Sequence, residues 1–210
     1  MNKTSSTDSS ATPARILDAA EQLFIELGYA ATSLRAIANQ AGVNLAATNY
    51  HFGSKEGLLA AVVHRHIHPV NEERLLRLNR LLVSQRPLTL REILEAFFYP
   101  LAETLPNEHL PAVMGRVLSE PESLTRPIIA EEFTEVLTHF QRAIAEVMPE
   151  IDEETISWRF HLVVGSMVHL LKFPNPINRL GSDKDFPQAI EHLIDFSIAA
   201  LRHRREPQGV

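Results

Sequence analysis

The stretch Gly28-Tyr-Ala-Ala-Thr-Ser-Leu-Arg-Ala-Ile-Ala38-Asn-Gln-Ala-Gly42-Val-Asn44-Leu-Ala-Ala-Thr-Asn-Tyr-His51-Phe-Gly53-Ser-Lys55 decides the fold. Its glycines fall where helices must stop, and a polar residue with N-cap chemistry follows each stop. Thr32 or Ser33 can cap a short helix carrying Leu34, Ile37, Ala38 and Ala41, which ends at Gly42. Asn44 then caps a second short helix, Leu45 to His51, and Gly53-Ser54 opens another from Lys55 to about His66. Upstream, Ile16, Leu17, Ala20, Leu23, Phe24 and Leu27 follow helical spacing, with Thr12 as N-cap and Pro13 at the first helical position. Helices joined by so tight a turn form the helix-turn-helix pattern. Spacing alone leaves two readings, a plain three-helix bundle or a DNA-binding module.

Working outward, Met1 to Thr12 is polar, rich in Ser and Thr, and reads as a flexible arm. Beyond Pro69 comes a charged helix, Asn71 to Ser84, with a leucine stripe at Leu75, Leu78 and Leu82. It is either kinked at the proline or restarted there. Thr89-Leu-Arg-Glu92 has capping-box spacing ahead of Ile93, Leu94, Phe97 and Phe98. Further helices are predicted at about 107–119, 122–147, 152–173 and 185–204, separated by Pro106, Pro121, Pro149 and the loop Pro174 to Gly181. Strand-like alternation is missing, so the fold class is all-α: an N-terminal three-helix helix-turn-helix domain and a C-terminal helical domain. The division expected is arm 1–12, helix-turn-helix domain 13–60, second domain 61–205 and tail 206–210.

The 210 residues carry a net charge of −6 and 45% hydrophobic residues, enough for a real core and too apolar for a disordered chain. Zero cysteines exclude disulfide frameworks, thiolate zinc sites and thiol nucleophiles. The longest apolar run, Leu162 to Leu171, is broken by Gly165, Ser166 and His169, and Met1 to Pro13 has no apolar core, so a cytoplasmic protein without membrane contact is expected. The acidic balance opposes nucleic-acid binding. Residues 1–60 hold four cations (Lys3, Arg15, Arg35, Lys55) against five acids (Asp8, Asp18, Glu21, Glu26, Glu56), a net of −1.

Ile16-Leu-Asp-Ala-Ala-Glu-Gln-Leu-Phe24, Gly28 to Ala38, Ala41-Gly-Val-Asn44 and Tyr50-His-Phe-Gly-Ser-Lys-Glu-Gly-Leu58 together resemble the N-terminal domain of tetracycline-repressor-type (TetR-family) regulators. Gly115 to Pro121, Glu132-Phe133 and Trp158-Arg-Phe-His161 look similar to the branch containing fatty-acid-responsive regulators. The resemblance implies an all-α homodimer, each subunit with a DNA-binding domain and a ligand-binding, dimerising domain. It also implies a repressor that leaves a pseudo-palindromic double-stranded operator when a small-molecule effector binds. By the same resemblance Leu45 to His51 is the recognition helix, with Leu45, Ala46, Asn49 and Tyr50 toward the groove. Thr48 departs from the pattern, standing where relatives turn a leucine inward. Asn49 can bond adenine or a phosphate, Leu45 and Ala46 suit a thymine methyl, and Arg35 can read guanine or hold a phosphate. Ser33, Ala47 through its N–H, Tyr50, His51 and Lys55 are phosphate candidates, and Asn44 completes the predicted interface.

Phe160 to Phe173 is apolar on nearly every side, so it must be buried in a core or at an interface. With Ile190, Leu193, Ile194, Phe196, Ile198 and Leu201 it suits a four-helix seam between two subunits. Phe97, Phe98, Met114, Phe133 and Phe140 are candidate walls of an effector chamber, with Arg116, Trp158 and His161 as polar anchors. An arginine there suits a carboxylate or phosphate, which points to an acyl or amphipathic acid. His64 and His68 have zinc-binding spacing, and Glu72 is a conceivable third ligand, but a solvated or interdomain pair is the expected reading. Neither a metal nor a cofactor is expected, and no Gly-rich phosphate loop, Gly-x-Ser-x-Gly or His-Glu-x-x-His motif is present. The reading from another class is an all-α enzyme or small-molecule carrier with an incidental helix-turn-helix.

Overall fold

The computed structural model describes residues 8–84, 86–104, 109–173 and 186–203. Among these the chain is all helix: α1 (Asp8–Leu27), α2 (Leu34–Ala41), α3 (Leu45–Phe52), α4 (Lys55–Leu82), α5 (Leu90–Thr104), α6 (His109–Val117), α7 (Glu122–Val147), α8 (Glu153–Lys172) and α9 (Phe186–Arg202). No strand occurs among the described residues. The residues divide into two compact units, 1–69 with 108–132, and 70–107 with 133–210. Most of the predicted arm, the loop from Pro174 and the tail 206–210 lie outside the described residues.

In the first unit Ile16, Ala20, Leu23 and Phe24 of α1 are buried with Ile37 and Ala38 of α2 and Leu58, Leu59, Val62 and Val63 of α4. The α1 helix begins at Asp8, ahead of the expected Thr12 cap, and runs through Pro13. Ser33, not Thr32, caps α2: its Oγ accepts the Ala36 N–H at 3.1 Å. Thr32 is buried instead, its hydroxyl donating to the Gly28 and Leu23 carbonyls at 2.8 and 3.2 Å.

The second unit buries Leu90, Ile93, Leu94, Phe97, Phe98 and Leu101 of α5 against Phe140 and Ile144 of α7, Phe160 and Val163 of α8, and Ile190 and Ile194 of α9. The capping box forms as its spacing predicts. Glu92 Oε2 accepts the Thr89 N–H and hydroxyl at 3.0 and 2.8 Å, and Thr89 Oγ1 accepts the Glu92 N–H at 3.3 Å. Asp152 caps α8, taking the Thr155 N–H at 2.8 Å.

Of the two readings left open at Pro69, the helix α4 follows the continuous one and includes the proline. The leucine stripe of α4 is buried only in part: Leu78 is buried with Val70, Asn71 and Arg74, whereas Leu75 is half-buried and Leu82 is 42% exposed. Asn71 and Arg74 hold inward positions because Arg74 finds three acceptors there, and the stripe rotates accordingly.

Candidate nucleic-acid interface

The turn between α2 and α3 is built from Gly42 and Asn44. Gly42 has φ +64, a left-handed conformation that costs other residues about 1–2 kcal/mol. There its N–H reaches the Asn39 carbonyl at 3.1 Å, and the Val43 N–H reaches that of Ala38 at 2.9 Å. Arg15 of α1 fastens this turn by donating to the Ala41 and Gly42 carbonyls at 2.5 and 3.3 Å. Asn44 then starts α3, its Oδ1 accepting the Ala47 N–H at 2.7 Å. At the other end Gly57 is pressed on α3: a Cβ there would stand 2.3 Å from the Phe52 carbonyl oxygen.

The first helix is thereby fixed to a short helix with a bare outer face. Leu45, Ala46, Asn49 and Tyr50 are all exposed, Tyr50 by 84%. They lie within an arc of about 140° around the helix. Asn44, His51, Ser33 and Arg35 are also exposed, and Ala47 is half-buried. Thr48 faces inward at 1% exposure, and its hydroxyl has no hydrogen-bond partner among the described residues. Lys55 is half-buried, and two of its three donors are committed, to the Tyr29 and Thr32 carbonyls at 2.9 Å each. It also lies 4.1 Å over the Tyr29 ring. The Tyr29 phenol is pushed well above its ordinary value by burial first and by its 2.7 Å bond to Glu56 second, so it remains a donor.

The residues predicted for the effector chamber fall into separate places. Phe97, Phe98 and Phe140 are fully buried in the second unit, Phe97 meeting Phe98, Phe140 and Phe160 edge-on with centroids 5.0–5.3 Å apart. Phe133 lies in the same unit and is nearly buried. Trp158 and His161, also there, are exposed and touch edge-on at 6.1 Å. Met114 and Arg116 belong to the first unit. Arg116 donates to the Ile25 and Glu26 carbonyls at 2.8 and 3.4 Å, supplying the end of α1 with the donors its last turn lacks.

Sequence reading passes over Arg74, which is 1% exposed in the second unit. Its Nε donates to the Phe97 carbonyl at 2.8 Å, Nη1 to Asn71 Oδ1 at 3.0 Å and Nη2 to Met167 Sδ at 3.3 Å, with the guanidinium 4.2 Å over the Phe97 ring. All three are neutral acceptors. Burial lowers its pKa to about 9, so it is still a cation at neutral pH. The signal was a polar pair, Asn71 and Arg74, at helical spacing with Ile67, Val70 and Leu78.

The model of bacterial regulatory proteins of the tetR family matches residues 16–62, and that of the tetracyclin repressor-like C-terminal domain matches residues 95–200. An uncharacterized HTH-type transcriptional regulator of Mycobacterium tuberculosis is 31% identical over 170 residues, 76% of this chain and 74% of that one. Among solved structures, NalD, the secondary repressor of the MexAB-OprM multidrug efflux pump in Pseudomonas aeruginosa, is similar with a TM-score of 0.68 at 23% identity. It covers 92% of this chain and 98% of its own. SmeT, the repressor of the Stenotrophomonas maltophilia multidrug efflux pump SmeDEF, is similar in its triclosan complex with a TM-score of 0.68 at 25% identity, covering 90% and 91%. With both halves matched and a relative aligned over three quarters of the chain, this protein belongs to the TetR family of helix-turn-helix transcriptional regulators.

Proposed function

We propose that the chain is a homodimeric repressor without catalytic activity, released from a pseudo-palindromic operator by an amphipathic organic acid. Residues 13–60 would bind DNA and 61–205 would dimerise and hold the effector. Leu45 and Ala46 would contact bases, Arg35 and Asn49 would each read a base or hold a phosphate, and Ser33, Asn44, the Ala47 N–H, Tyr50, His51 and Lys55 would hold phosphates. Support comes from the bare outer face of α3 and from the way Arg15, Gly42 and Gly57 fix it on its neighbours.

The acid reading is carried by Arg74. Arg74 is a buried guanidinium with no carboxylate partner among the described residues, and an opposite charge would offset a burial cost that its neutral acceptors offset in part. An acid whose chain packs among Phe97, Phe98, Phe133 and Phe140 would supply that charge. Phe196 of α9, with Trp158 and Leu162 of α8, supports the dimer seam, for these apolar side chains are 57–65% exposed.

The test pairs operator retardation, on DNA upstream of the protein's own coding sequence, with a series of acyl carboxylates and the alcohols of equal chain length. Carboxylates should release the wild type and alcohols should not, while Arg74→Met should keep operator binding and lose the response. Equal action of acids and alcohols would defeat the acid reading.

A further inference from the structure

One turn of α4 carries three histidines within five residues, and the repressor reading uses none of them. His64 and His68 stand one helical turn apart, so both side chains project from the same face. Their rings stack with centroids 4.4 Å apart and planes 27° from parallel. Glu132 of α7 reaches the pair from a different helix, its Oε1 2.8 Å from His64 Nδ1. Among the described residues these three close into a group in which one donor atom from each lies within 4.8 Å of the others. All three belong to the first unit.

We propose that His64, His68 and Glu132 form a binding site for a divalent transition-metal ion of the zinc type. Two imidazole nitrogens and one carboxylate oxygen are a borderline donor set, suited to Zn²⁺ and its first-row neighbours and unsuited to Mg²⁺ or Ca²⁺, which want oxygen alone. Bonds of about 2.0–2.2 Å to a common ion hold its donor atoms no more than about 4.4 Å apart, so the three atoms, already within 4.8 Å of one another, need side-chain rotations to close on an ion. The His64 side chain is 55% exposed, which leaves room for water to complete the coordination. Glu132, at 9% exposure, is the fixed member, and the histidines close on it. From sequence, where no metal is expected, Glu72 is only a conceivable third ligand, on the same helix as the histidines. Taking it from α7 makes the ion a cross-link between two helices.

The neighbouring residues of that stretch approach α1, and Arg65 bonds α4 to it. Arg65 Nη1 lies 2.5 Å from Asp18 Oδ1, and His66 Nε2 lies 2.9 Å from Glu21 Oε2 with both side chains nearly buried. A bound ion therefore joins α7 to the turn of α4 that already holds the helix-turn-helix domain's first helix. Binding to the folded state alone raises stability.

Titrating untagged, chelator-treated full-length protein with Zn²⁺ by calorimetry should show one ion per chain and a raised melting temperature. Removing an outer-shell partner typically costs about 10–100-fold in metal affinity, so His64→Ala and His68→Ala should each cost at least about tenfold. Glu132→Gln, which keeps the side chain's shape, should do the same, whereas Glu72→Gln and His161→Ala should change little. Circular dichroism of the apo variants separates a lost ligand from a lost fold. Undiminished Zn²⁺ affinity in the folded His64→Ala/His68→Ala double variant, or no zinc uptake by the wild type at micromolar concentration, would overturn the proposal.

Discussion

At the scale of single residues, Thr48 and Asn49 are neighbours with opposite fates. Thr48 buries a hydroxyl without a partner among the described residues, and an unsatisfied buried donor costs about 1–3 kcal/mol. Thr48→Val should raise unfolding stability by about 1 kcal/mol in urea and leave operator affinity unchanged. A loss of stability would mean that the hydroxyl is satisfied in solution. Asn49 and Arg35 are exposed, and alanine at either should weaken operator binding. If the side chain reads a base, discrimination at one operator position falls by about 1–3 kcal/mol; if it holds a phosphate, all sequences weaken alike. A panel of single-base operator variants tells the two apart. The resemblance turns a leucine inward at position 48, and threonine there, a departure from that pattern, is nevertheless buried. Arg74's burial was not legible in the sequence, because an arginine in a helix normally marks its solvated side.

Among the elements, several helix caps were the most legible feature, since caps are local chemistry. Asn44, Ser33 (one of two candidates with Thr32) and the Thr89–Glu92 box act where their spacing places them, whereas α1 starts ahead of its expected cap and spacing left the run of α4 through Pro69 open. Glu92 also makes the start of α5 sensitive to acid. Arg86 first, then the Thr89 hydroxyl and N–H, hold its carboxyl at about 2 against an ordinary 4.5. A carboxylate depressed in the folded state contributes stability that is fully present above its unfolded value and is lost as pH falls through the folded one. Glu92→Gln should therefore lower the urea midpoint at about pH 6, with the gap to wild type closing between about pH 4.5 and pH 2. A gap that stays constant down to about pH 2 would show that ionisation of Glu92 is not its source. The rotation of α4 escaped the sequence because leucines and polar residues were both at helical spacing, and only the partners across the core choose between two stripes.

For the whole molecule, the charge of −6 becomes an argument about how DNA is held. Of the three cations between residues 13 and 60, Arg15 and Lys55 are each bonded to two main-chain carbonyls, which leaves Lys55 one donor for a phosphate, and Arg35 stands exposed on α2. Few cations displace few counterions, and operator affinity should fall only shallowly with salt, the log–log slope per dimer being shallower than about −8. Retardation or anisotropy measured across a salt series checks this. Sedimentation at micromolar concentration should give a dimer mass, and Trp158→Glu or Phe196→Glu should shift it toward the monomer. Each puts a charge where the seam is proposed to exclude water.

The sequence by itself determined the all-helical class, the helix-turn-helix and its caps, because each depends on interactions spanning only three or four residues. It also determined the family, through elements at fixed spacing from Ile16 to Leu58. Tertiary structure alone decided which polar side chains are withdrawn from water and which acceptors they meet. Arg74 reaches the Phe97 carbonyl and Met167, and His64 reaches Glu132, across separations of 23 to 93 residues. Periodicity reports only that a residue shares a face with its neighbours on one helix. What that face meets depends on chain brought close by folding, and no local spacing encodes it.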